Sequence, residues 1–156
     1  MDGVAETVHA TCIALDGRGV LIRGPSGSGK SDLALRCLAT VPNSLISQPA
    51  ALVADDQVEV EVLGGRLMAR APVTLRGRLE VRGQGIISLS TVETAEVVLV
   101  AELVPPDMII DRLPDPVLTF AVCGIRLPVI RMHAYEASAA AKLLIALVTH
   151  HGRIIE

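Results

Sequence analysis

The chain has 156 residues, 51% hydrophobic and 20% charged, with a net charge of −3. That length suits one domain over 1–156, and the apolar fraction excludes a disordered chain, which could not bury enough surface to offset its ordering entropy. The acidic balance, with Phe120 and Tyr135 as the only aromatics, excludes nucleic-acid binding through a broad basic face and base-stacking platforms.

Val8–Leu15 and Val20–Arg23 read as strands joined by a tight Asp16-Gly17-Arg18-Gly19 turn. A glycine-rich loop follows from Gly24, then a helix from Ser31 to about Thr40 that Pro42 closes. Ala50–Ala54 is a short apolar strand ending in Asp55-Asp56. Val58, Val60 and Val62 alternate with Glu59 and Glu61, the pattern of a half-buried strand, which Gly64-Gly65 turns back into Arg66–Ala71. Further strands are predicted at Ile86–Leu89, Glu96–Leu103, Leu118–Val122 and Ile125–Ile130, the last two joined at Cys123-Gly124. Glu136–Val148 reads as a helix, with Gly152 as its stop. The expected fold is α/β, strand-rich, with a mixed, hairpin-rich sheet and two helices. Simple alternation of strand and helix does not describe it.

The residues Met1–Glu6 lack the charged and apolar regions of a secretory signal. Val97–Ala101, bounded by Glu96 and Glu102, is far too short to span a bilayer. Cys12, Cys37 and Cys123 form no C-x-x-C pair, which favours reduced, buried thiols over a disulfide framework or zinc site. The expectation is a cytoplasmic protein with no membrane partner.

Gly24-Pro25-Ser26-Gly27-Ser28-Gly29-Lys30-Ser31 fits G-x-x-x-x-G-K-[ST], the P-loop. Glycines let backbone N–H groups close around phosphate oxygens, and the helix that follows presents its positive end. Lys30 is placed to reach the β- and γ-phosphates, and the Ser31 hydroxyl to bind Mg²⁺. Leu52-Val53-Ala54-Asp55-Asp56 then delivers two carboxylates at a strand end. One can support the metal while the other acts as general base toward an incoming hydroxyl. A solvated Asp-Asp turn is the alternative. The segment Glu80-Val81-Arg82-Gly83-Gln84-Gly85-Ile86-Ile87 is a weaker signal, since glycine loops with exposed charges are common. His9, alone in a strand, is weaker again.

Together these segments resemble the catalytic domain of the bacterial HPr kinase/phosphorylase family, over about His9–Val148. The resemblance rests on the order His9, Gly24–Ser31, Val53–Asp56, Glu80–Ile87 and Asp111-Arg112-Leu113. It implies a fold of the HPr kinase/PEP carboxykinase type and ATP- and Mg²⁺-dependent phosphorylation of a serine on an HPr-like phosphocarrier protein. Reversal with inorganic phosphate and assembly as a hexamer belong to the same implication. Lys30 would bind the phosphates, Ser31 and Glu80 would ligate Mg²⁺, and Asp56 would take the serine proton with help from Asp55, though the two could exchange roles. His9 would hold the aspartate, and Arg112 would stabilise charge on the transferring group.

The family's full-length members carry a separate amino-terminal domain, and 156 residues leave no room for one, so a single-domain form without it is expected. Where the family has P-V-R-P-G-R-N, this chain reads Pro128-Val129-Ile130-Arg131-Met132-His133-Ala134, with Arg131 standing in for one arginine. That loop is associated with dephosphorylation, so the phosphorylase direction stays open. A small-molecule kinase and a nucleotide-sensing module without turnover are the competing readings.

Overall fold

The computed structural model describes residues 3–113 and 118–150. Gly152, the predicted helix stop, lies outside them. In chain order the strands and first helix are β1 (Glu6–His9), β2 (Thr11–Leu15), β3 (Arg18–Arg23), α1 (Lys30–Leu38), β4 (Ala51–Ala54), β5 (Gln57–Leu63) and β6 (Arg66–Arg70). After a 3₁₀ turn at Val73–Leu75 come β7 (Arg78–Val81), β8 (Gly85–Ser88), β9 (Ala95–Leu103), β10 (Thr119–Val122), β11 (Ile125–Met132) and α2 (Ala139–Thr149).

Local chemistry accounts for the hairpins. The turns Asp16-Gly17, Gly64-Gly65 and Cys123-Gly124 each place both residues at positive φ, between 50° and 77°. This is the two-residue turn whose twist matches that of the flanking strands. They set the registers Leu15 to Arg18, Leu63 to Arg66 and Val122 to Ile125. The β7–β8 hairpin was half legible: only its second strand is predicted, and Leu79, fully buried, anchors the first.

The predicted strand Val8–Leu15 is in fact two. β1 pairs with β5, whereas β2 pairs with β3 and β4. Asp55-Asp56 makes a corner between β4 and β5, so the segment that pairs with both must bend at the same level. The bend falls at Ala10, whose N–H leaves the ladder and donates to the Asp56 carbonyl at 3.2 Å. The second helix also starts later than predicted, at Ala139, after turns that use the Glu136 carbonyl as acceptor.

Among the described residues the large sheet has nine strands along the path β1-β5-β6-β9-β3-β2-β4, with β11 joining β9 and β10 joining β11. One edge of β9 pairs with β3 in parallel. Its other edge is shared, β6 pairing at Ala95 and Glu96 and β11 at Val100–Leu103. Each sheet face carries its own apolar core. Ile13, Ile22 and Leu99 pack with Leu33 of α1 and Leu143, Leu144 and Leu147 of α2. On the other face Leu21, Val60, Leu67, Val100 and Leu127 pack where the sheet curls over itself. Both helices bury one stripe, as amphipathic helices on a sheet do. Leu99 is fully buried in the central strand, so Leu99→Ala should cost about 3 kcal/mol, seen as a lower denaturant midpoint at unchanged m-value.

The three cysteines are free thiols. Burial pushes Cys12 and Cys37 up to about 12, opposed at Cys37 by the nearby Arg36 guanidinium, so both stay protonated at neutral pH. Cys123 is only half-buried, and its thiol is raised first by burial and then by neighbouring carboxylates. No helix among the described residues is long and apolar enough to cross a membrane.

Candidate active site

The parallel strands β3, β9 and β11 finish at one edge of the sheet, where Ile22 pairs with Ala101 and Met132 with Leu103. The start of β2 and the end of β4 reach the same edge, through the pairs Thr11 to Ile22 and Cys12 to Ala54. The Gly24–Ser31 loop leaves β3 in the middle of this edge. Thr11, Asp55 and Asp56 stand on its β2–β4 side, and the segments that follow β9 and β11 stand on the other.

The loop has the build its glycines require. Gly27 and Gly29 have φ of 80° and 100°, and Gly29 is the residue from which α1 starts. A Cβ at Gly24 would lie 2.5 Å from the Ser28 hydroxyl, and one at Gly29 would lie 3.0 Å from the Tyr135 hydroxyl. Lys30 is only 8% exposed. Its Nζ turns back into the loop and donates to the carbonyls of Gly24 at 2.8 Å and Pro25 at 3.0 Å. Among the described residues no carboxylate pairs with it. Ser28 Oγ is buried without a hydrogen-bond partner. A buried cation on neutral partners beside an unpaired hydroxyl, at a helix start, suits an anionic guest.

The two adjacent aspartates have different surroundings. Asp55 is 8% exposed and saturated. Its Oδ1 accepts from Ser31 Oγ at 2.7 Å and Thr11 Oγ1 at 2.8 Å, and its Oδ2 from the Glu80 backbone N–H at 3.1 Å. Asp56 is exposed and, among the described residues, has one side-chain partner, His9, whose Nε2 donates to Oδ1 at 2.9 Å. The corner that separates them is a γ-turn, with Asp56 at φ 68° and the Gln57 N–H donating to the Asp55 carbonyl at 2.8 Å. A non-glycine residue at positive φ stores strain, and such residues cluster at working sites.

These groups line one cleft of about 380 Å³. It brings together His9, Lys30, Ser31, Asp55 and Asp56, with Ser26, Gly27 and Gly29 of the loop, Glu80 of β7 and Arg82 just after it. Arg112 is different: it is exposed in the segment after β9 and does not line the cleft, and neither does Arg131. Among the described residues no three or more His, Cys, Asp or Glu side chains form a metal-holding group. Sequence reasoning missed Thr11, whose hydroxyl is fully buried in the otherwise apolar Thr11-Cys12-Ile13-Ala14-Leu15, and that isolated polar residue was the available signal. It also missed Tyr135, which lines the cleft beside Gly29.

The fold and the cleft define a class: a mixed α/β domain in which a glycine-rich loop and an unequal pair of carboxylates face each other at one sheet edge. Residues 3–153 match the family model of the HPr serine kinase C-terminal domain, and the chain belongs to that family. HPr kinase/phosphorylase of Brevibacillus brevis is 35% identical over 134 residues, covering 80% of this chain and 40% of the relative. That of Mycoplasmopsis pulmonis is 30% identical over 147 residues, covering 88% and 45%. The chain thus spans less than half the length of these curated relatives. The solved structure of the Hpr(Ser) kinase/phosphatase from Coxiella burnetii superposes with a TM-score of 0.74 at 28% identity, covering 92% of this chain and 88% of that one.

Proposed function

We propose that the cleft transfers the γ-phosphoryl group of ATP to a serine of an HPr-type phosphocarrier protein, with Mg²⁺. The observation that carries this reading is the contrast between Asp55, buried and held by three donors, and the exposed Asp56, in the cleft that Lys30 also lines. Family membership and the names of the relatives supply the acceptor.

The residues fit both guests. Ser31 Oγ donates its proton to Asp55 and so keeps its lone pairs for a cation, and the exposed Glu80 lines the same cleft. Two such protein groups with nucleotide oxygens and water are the usual surroundings of Mg²⁺, which binds without an all-protein cage. When bound, the ion would neutralise charge on the phosphate oxygens.

Lys30 exchanges its two carbonyl partners for phosphate oxygens, and the loop N–H groups hold the chain of phosphates in place. Asp55 keeps Ser31 and the β7 backbone in position. Asp56, hydrogen-bonded to His9 and otherwise open to solvent, takes the proton of the seryl hydroxyl as its oxygen bonds to phosphorus and the bond to ADP breaks. His9 fixes the carboxylate that does this. Arg112 acts only if the segment after β9 folds inward with the carrier bound.

The test is labelled ATP with purified protein and HPr-like carriers, followed by phospho-carrier with inorganic phosphate for the reverse direction. Transfer to carrier serine is expected. Saturable ATP binding without transfer to any carrier would overturn the kinase reading and identify a nucleotide-sensing module.

A further inference from the structure

We infer that Tyr135 is the nucleoside wall of the cleft, its ring stacking on the base of the bound nucleotide. This rests on reading the cleft as a nucleotide site, and the sidedness of the sheet edge supports it. The groups that would meet the acceptor, His9 and Asp56, occupy the β2–β4 side of the glycine loop. The γ-phosphate must point that way, so the nucleoside end leaves toward β9 and β11.

Tyr135, just past the end of β11, meets the nucleotide there. It is the chain's only tyrosine and is 68% exposed, although the other aromatic, Phe120, is covered by the Arg23 guanidinium at 4.0 Å. Its hydroxyl has no hydrogen-bond partner among the described residues. The backbone on both sides of it is fixed, since Arg36 of α1 donates to the carbonyls of Ala134 and Glu136. His133 adds a second anchor, its Nε2 donating to the Met108 carbonyl at 2.7 Å. An exposed aromatic on an anchored backbone beside Gly29 is pre-organised to receive a flat ligand.

Base selection should be weak. No side-chain amide of a described residue lines the cleft, and Asp32, the carboxylate next to this end, is already held by Arg36 at 3.0 Å. Stacking accepts any base, because every base offers a π-face.

The experiment titrates Mg-ATP, Mg-GTP and inorganic tripolyphosphate calorimetrically into the wild type, Tyr135→Leu, Tyr135→Phe and Lys30→Ala. Tyr135→Leu should weaken ATP and GTP by about tenfold each and tripolyphosphate by less than about twofold. Unchanged tripolyphosphate binding also shows that the variant is folded. Tyr135→Phe should bind like the wild type. Equal losses for tripolyphosphate, an equal loss in Tyr135→Phe, or no loss in Tyr135→Leu would each overturn the stacking role. Lys30→Ala should lose all three ligands, which tests the phosphate site independently of Tyr135. A wild type that binds tripolyphosphate no more weakly than ATP refutes the nucleoside wall alone, whereas one that binds none of the three refutes the nucleotide reading with it.

Discussion

Lys30→Ala should lower phosphoryl transfer by at least about a hundredfold while leaving the melting temperature nearly unchanged. The first half follows from position. Lys30 is the cation at the centre of the loop, and removing one preorganised donor to developing charge costs a reaction about 10²–10³ in rate. The second half follows from its partners. The ammonium is almost fully buried on two neutral carbonyls, with no carboxylate paired to it among the described residues. An ion held in this way contributes little to folding, because its own desolvation offsets the hydrogen bonds it makes. The variant should therefore stay within about 1 kcal/mol of the wild type. Thermal denaturation beside the labelled-ATP assay checks both parts. A large fall in melting temperature would show that the lysine serves the fold.

Asn substitutions at the two aspartates should separate two effects that look alike in an activity assay. Asp56→Asn keeps the size and the exposed setting, so the melting temperature should hold while transfer falls by about 10²–10⁴, the usual contribution of a positioned general base. Asp55→Asn faces three donors, from Ser31, Thr11 and the Glu80 backbone. An amide offers them one oxygen and turns its own N–H groups toward at least one. A buried donor left unsatisfied costs about 1–3 kcal/mol, so a loss of about 3 kcal/mol is expected. In a chain of this size that is a fall of roughly 6–12 °C in melting temperature. Equal melting losses for the two variants would refute the division of labour, as would full transfer by Asp56→Asn.

That division is a good measure of what the sequence made legible. The glycine loop, the strands on either side of Asp55-Asp56 and the two-residue turns could all be read, because each is dictated by neighbouring residues: glycines at positive φ, a short apolar run, or valines alternating with glutamates. What distinguishes Asp55 from Asp56 is a single backbone angle and three donors from distant segments, and no local pattern encodes those. The break at Ala10 was invisible for a similar reason. Val8–Leu15 is uniformly suited to a strand, and the bend is imposed by the corner between β4 and β5, more than forty residues away. The first strand of the β7–β8 hairpin was lost because short polar strands beside glycines look like loops. Arg112, placed in the site by resemblance, lies in a segment that begins at the same sheet edge, with its side chain outside the cleft.

The shared edge of β9 has a consequence for how the domain opens. Leu99 and Ala101 belong to the core under the helices, and Val97 and Val100 to the core under the curl, so one strand is embedded in both. Its backbone is also paired to β3 on one edge and to β6 and β11 on the other. Neither half can come apart locally without stripping this strand, so the two halves form a single foldon. The amides of β9 would then exchange with solvent only through global unfolding, while β1, on the sheet margin, can fray and carry His9 away from Asp56 without disturbing the rest.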